Sequence, residues 1–564
     1  MDCPAPDGRS DRKGPRRGPR QALDLADGGL VADRLTPARP HGRSAPRLAV
    51  LAVAVAVVGL ALMVGRGGTP SSAGASGPDE ASIVLGTPAT VDPAEQGDVG
   101  SAAVSAQLYE SLTAFDPGLT IRPALARSWD VQDAGRKVVF HLRDGLTFSD
   151  GSPLTASDVV RSWLRLIDPA SPSPLASLML DVAGAAEYLH GSAKAADVGL
   201  RANGGDVEVD LVRPAADFAA VVAGPSFAIV PPGIARGVPP DPAHFVGSGA
   251  YVLTAATPSE LTLRGNDRYW AGSPPIRTIH LIGTISGRSP VDAFQAGDLD
   301  YTGVGDYDAS WIGYDAVLGP QLRKVPSLSV DYLGFDTSRP PFSDVRVRRA
   351  FAGAVNWRRI VTLGSSTAVP ATSMVPPGIP GRGEKDFLPT FDPAAARAAL
   401  AEAGFPGGRG FPDVTFVDPG SSYARSIPAD IKRELGITLQ VESMDFDTYF
   451  KRLAVDPPAM WTLSWVADYP GPNDFLGVLL GTGQSNNYGR WSSTDFDKAI
   501  ADAGSATSAS SAAAAFDAAQ AVVQRDAPVV PLSYGPGWAL SRDGLLGAGQ
   551  NGMGILRIAG LAWK

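Results

Sequence analysis

The sequence predicts an α/β chain behind an N-terminal transmembrane helix. Two patterns carry the first part. Short segments alternate apolar and polar residues, and capped segments place apolar residues at helical spacing, mixed in irregular order. A third observation carries the helix: residues 48–65 (LAVLAVAVAVVGLALMVG) hold no charge, and such a run is just long enough to span a bilayer.

In chain order, residues 1–46 read as a disordered basic cytoplasmic leader and 47–66 as the membrane anchor or signal segment. Arg39, Arg43 and Arg47 precede the apolar run, so the N-terminus stays inside and the remainder is exported. Cleavage at Ala73-Gly74-Ala75 would release the protein instead. A lipoprotein signal needs a cysteine just after the run, and Cys3 is the only cysteine. The length of the run and of its leader favours an anchor. Residues 67–81 read as a flexible tether.

Regular structure is expected from Ser82. Residues 137–143 (KVVFHLR) and 206–212 (DVEVDLV) alternate as half-buried strands. Between them Thr155 and Asp158 form a capping pattern ahead of Val159, Val160, Trp163, Leu164 and Ile167. Residues 344–361 read as one arginine-rich helix. Asp392-Pro393 opens a helix that Gly404 closes. Residues 493–526 are helical and alanine-rich, and 529–534 (VVPLSY) reads as a strand.

Composition excludes several classes of function. Hydrophobic residues make up 44% and charged residues 19%, which rules out wholesale disorder. Residues 67–564 carry 38 Lys/Arg against 52 Asp/Glu, and that acidic body argues against nucleic acid as a partner. One cysteine and five scattered histidines give no metal-ligand spacing. No GxSxG, P-loop, HExxH or CxxC occurs. The single GxGxxG match, Gly547 to Gly552, lies too near the C-terminus for a βαβ unit to follow and reads as a glycine-rich loop. No cofactor is expected.

Residues 105–168 contain PALARSWDV and FHLRDGLTFSDGSPLTASDVV. This stretch resembles the extracytoplasmic solute-binding proteins of the oligopeptide and dipeptide ABC-transporter type, family 5. Further blocks stand in the family's order: VDPAEQGDVG (91–100), GSGAYVLTAATPSELTLRGNDRYW (247–270), FDTSRPPFSDVRVRRAFAGAVNWRRIV (335–361), WVADYPGPNDFL (465–476) and DAPVVPLSY (526–534). The resemblance spans roughly residues 82–540. It implies a two-lobed periplasmic-binding-protein-like fold with an extra subdomain in the first lobe. Lobe 1 would run over 82–325 with the subdomain at about 118–244, lobe 2 over 326–525, and 526–564 would return to lobe 1. It also implies a monomer that binds without turnover, closes by a hinge and docks on ABC permease subunits.

The resemblance implies site residues too. Asp468 would pair with the ammonium of a peptide or another small amine-bearing ligand. Its own sequence context, before Tyr-Pro-Gly-Pro, equally suits a turn. Trp465 would line the cleft or pack against Trp461. Tyr469 and Asn473 would add polar contacts, and Gly97, Asp98 and Val99 would run along an extended ligand. Thr462 stands where some oligopeptide binders carry an arginine for a ligand carboxylate. The same fold could instead hold a sugar, metal chelate or opine, or serve a membrane-tethered sensor.

Overall fold

The computed structural model describes residues 78–564, apart from 87, 216, 284, 286, 366, 422 and 507 and the side chains of Phe446 and Asp447. The expected leader, membrane segment and most of the tether therefore lie outside the described residues. Among the described residues no helix is long and apolar enough to cross a membrane.

Two large mixed sheets organise the chain. The first has seven strands in the order Leu322–Val325, Gly537–Ser541, Tyr301–Val304, Glu80–Val84, Thr278–Ile282, Glu260–Gly265 and Tyr251–Ala256. Its central strand Glu80–Val84 runs parallel to both neighbours, with Ala81 and Ile83 fully buried. That strand starts at Glu80, two residues before the expected start of regular structure at Ser82. The second sheet has six strands in the order Val369–Pro370, Val529–Tyr534, Ser329–Phe335, Met460–Val466, Thr415–Val417 and Gln440–Glu442.

The chain leaves the first sheet after Val325 and enters the second at Ser329. The return differs from the expected crossing near residue 526. Strand Val529–Tyr534 still pairs within the second sheet, and only Gly537–Ser541 belongs to the first. The change of sheet falls between Tyr534 and Gly537.

A third sheet, antiparallel throughout, orders Ala126–Gln132, Lys137–Leu142, Asp206–Asp210 and Leu200–Asn203. Val138, Phe140 and Leu142 are buried, as alternation requires. Helix Ala156–Leu164 begins with the reciprocal Thr155–Asp158 capping box and covers this sheet. Its Trp163 meets Phe140, Phe218 and Phe227 edge-on at 6.1, 6.2 and 5.6 Å, a favourable aromatic geometry. The indole nitrogen donates to the Phe227 carbonyl at 2.9 Å.

Two expected helices are each divided. The 344–361 stretch forms Val345–Ala354 and Trp357–Gly364, because the Asn356 side chain caps the second by accepting from Arg359 N–H at 3.1 Å. The 493–526 stretch forms Thr494–Gly504 and Ala509–Asp526. Helix Pro393–Glu402 is capped by Asp392, and Gly404 follows it at φ +97°.

Candidate functional site

Strand Met460–Val466 delivers the site. Trp461, Leu463 and Trp465 share one face, opposite Gly334, Tyr332 and Val330. A Cβ on Gly334 would lie 2.4 Å from the Trp461 ring, so the indole lies flat where only glycine leaves room. Beyond the strand, Ala467 N–H donates to the Leu328 carbonyl at 2.9 Å. A short loop then leads into helix Pro472–Phe475.

Asp474 in that helix folds back on the loop. Its Oδ2 accepts from Trp465 Nε1 and from the Asp468 backbone N–H, each at 3.1 Å. Asp474 is fully buried. Among the described residues its Oδ1 has no hydrogen-bonding partner, and neither does the buried Oδ2 of Asp468. Burial pushes the Asp468 carboxyl up to about 7. Burial and the neighbouring Asp468 charge push Asp474 well above the usual carboxylate range, against the two bonds from Trp465 and Asp468. Among the described residues no Lys or Arg acts on either carboxyl. Buried carboxylates in other proteins are paired, or they take up a proton; this pair lacks a cation.

The two lobes meet around these groups. A Cβ on Gly224 would lie 3.6 Å from the Asp468 carbonyl. Ser485 Oγ donates to the Pro174 carbonyl at 3.1 Å, and Ser365 Oγ donates to Asp306 Oδ2 at 2.8 Å. Burial and the nearby Asp468 charge raise the Tyr488 hydroxyl. The Tyr488 ring meets Phe450 edge-on at 6.2 Å. The lobes are in contact, and the acidic pair lies beside their junction at Gly224.

The sequence-derived residues separate into groups. Trp465 and Asp468 lie together, but Trp465 is only 8% exposed, and its indole N–H is spent on Asp474. Tyr469 and Asn473 bond to each other, Asn473 Nδ2 donating to the tyrosine hydroxyl at 3.2 Å. They line an interlobe cavity of about 290 Å³ with Asp181, Arg213 and Asp497. Gly97 is wedged between the lobes, where a Cβ would lie 2.9 Å from Pro174 and 3.5 Å from Phe450. Asp98 is extended, but its carboxylate is taken up in capping helix Val99–Leu108 through Ser101 N–H and Oγ. Val99 already lies in the first helical turn, so an extended segment across all three residues does not form. Thr462 Oγ1 donates to the buried Asp418 at 2.6 Å, which brings no cation to that position.

Sequence reading missed Asp474, Tyr488 and Phe450. Asp474 stood inside the 465–476 block, but nothing in its spacing showed that an indole N–H would reach it.

Comparison with known proteins agrees with this architecture. Residues 120–487 match the family described as bacterial extracellular solute-binding proteins, family 5 Middle. The chain is 29% identical to the probable deoxycholate-binding periplasmic protein YgiS of Escherichia coli, over 80% of this chain and 86% of that protein. It is 28% identical to the periplasmic oligopeptide-binding protein OppA of Salmonella typhimurium, over 79% and 85%. Its fold superposes on the Escherichia coli murein tripeptide binding protein MppA with a TM-score of 0.79 at 24% identity, covering 86% of this chain and 99% of that one. Against the unliganded open form of MppA the TM-score is 0.63, at 25% identity and 88% and 99% coverage. The lower score against an open form accords with the interlobe contacts seen here.

Proposed function

The chain belongs to the bacterial extracellular solute-binding proteins of family 5, and from that premise we propose that it captures peptides by their amino terminus. The captured peptide is held between the lobes and delivered to the permease of an ABC importer, without turnover. The observation that carries this reading is the Asp468 carboxyl, whose buried Oδ2 is unpartnered and on which no cation acts among the described residues. An α-ammonium supplies the missing charge and a charge-assisted hydrogen bond. Several relatives are named for oligopeptides or murein peptides, which supports a peptide ligand.

On this reading the binding lobes lie outside the cytoplasmic membrane, tethered by residues 48–65. Trp465 acts as a positioning group for the Asp468 loop. Tyr469 and Asn473 contribute the wall of the neighbouring cavity, and Gly97 contributes the close approach of the lobes. Native mass spectrometry of the purified chain tests the reading. Co-purified peptides released by mild acid are the expected result; a sugar or a bile acid in their place would overturn the peptide assignment.

A further inference from the structure

We propose that Asp474 is a second charge-reading group of this cleft, and that the ligand end held there carries two positive charges. One is the α-ammonium beside Asp468. The other is a cationic group on the first residue, such as a lysine or arginine side chain, acting in the field of Asp474. This inference rests on the peptide reading and names the class of peptide.

The geometry is specific. Asp474 is fully buried, and its Oδ2 is fixed by Trp465 Nε1 and Asp468 N–H at 3.1 Å each. Its Oδ1 is unpartnered, as is Asp468 Oδ2. A single ammonium balances one carboxylate of the pair and leaves the second to be neutralised by a proton. Among the described residues the other groups around the pair supply no cation. Burial raises both the Tyr488 and Tyr469 hydroxyls, and the charges acting on them are all acidic: Asp468 on Tyr488, and Asp217, Asp474 and Asp181 on Tyr469. Arg213 is committed to Asp181 through bonds of 2.7 and 2.5 Å. The second positive charge therefore comes from solvent as a proton or from the ligand. When the ligand supplies it, the proton on Asp474 leaves to the buffer and no covalent bond changes.

The test compares Lys-Ala-Ala with norleucine-Ala-Ala by titration calorimetry at pH 7.5, in two buffers of different ionisation enthalpy. The full-length chain is expected to bind the lysine peptide at least roughly tenfold more tightly. It is also expected to release about one more proton with it. Asp474→Asn keeps an amide oxygen for Trp465 and Asp468 N–H but cannot ionise, so both differences should vanish. Equal affinity and equal proton release for the two peptides in the unaltered chain would overturn the proposal. If neither peptide binds, the peptide reading fails, and cadaverine against pentylamine decides the charge count. A preference for the diamine that Asp474→Asn abolishes upholds the proposal; no preference overturns it.

Discussion

Replacing Asp468 by asparagine should move ligand binding and lobe closure in opposite directions. The carboxyl rises from 3.8 to about 7 on burial, and one unit is worth about 1.4 kcal/mol. Holding it ionised in the closed, ligand-free form therefore costs about 4 kcal/mol relative to a hydrated carboxyl. A group raised in this way stabilises the closed form least at high pH: the penalty grows from about pH 4 and is complete above about pH 7. A ligand ammonium removes it. Affinity for amine ligands should then fall, by up to roughly tenfold per unit, as pH drops through the range in which the ligand-free carboxyl takes up its proton. Asp468→Asn removes both the penalty and the ion pair. Calorimetry should show binding weakened by about 2–5 kcal/mol with little remaining dependence on pH. Small-angle X-ray scattering at pH 8 should show the ligand-free variant more compact than the unaltered protein. Retention of amine affinity within about threefold would refute the reasoning.

Three further outcomes follow from packing. Gly97→Val would drive a side chain into Pro174 at the lobe junction, so ligand affinity should fall while urea denaturation of the ligand-free protein changes little. Gly334→Ala places a methyl against the Trp461 ring and should cost about 1–3 kcal/mol of stability, read by urea denaturation. Arg165 forms two bonds with Asp92, 2.9 and 2.5 Å long, with both side chains mostly buried. Arg165→Ala should destabilise by about 3–5 kcal/mol, because it leaves a buried carboxylate without its partner. Thermal denaturation of the variant checks this.

Local chemistry was legible in the sequence and pairing between distant segments was not. The Thr155–Asp158 box and the Asp392 cap act within four residues, and both appear as read. The strand 529–534 was also read correctly as a strand. Its sheet was not, because membership depends on hydrogen bonds to residues about 200 positions earlier. The break at Asn356 was not legible, because arginines and apolar residues continue past it and mask the cap. The position of Asp468 was readable by motif. Its electrostatic state was not, since that state depends on Gly224 and Asp474 closing over it. Asp98 and Asp468 look alike in sequence, yet one is spent on a helix end and the other keeps an unpartnered oxygen.

The acidic pair also bears on the ligand named for one relative. YgiS is a probable deoxycholate-binding protein, and deoxycholate is a carboxylate. In the cleft described here, an anion would meet these two carboxyls, and among the described residues no cation acts on either. At pH 8 Asp468 would be ionised, and like charges in a dehydrated site oppose one another strongly. Thr462 is neutral and offers no compensating charge, and its hydroxyl is already committed to Asp418. Deoxycholate should therefore bind this chain negligibly at pH 8, and only weakly near pH 5, where Asp468 is protonated. Calorimetric titration at the two pH values checks this. Tight binding at pH 8 would mean that the ligand avoids the pair altogether, and the charge argument for an amine ligand would fall with it.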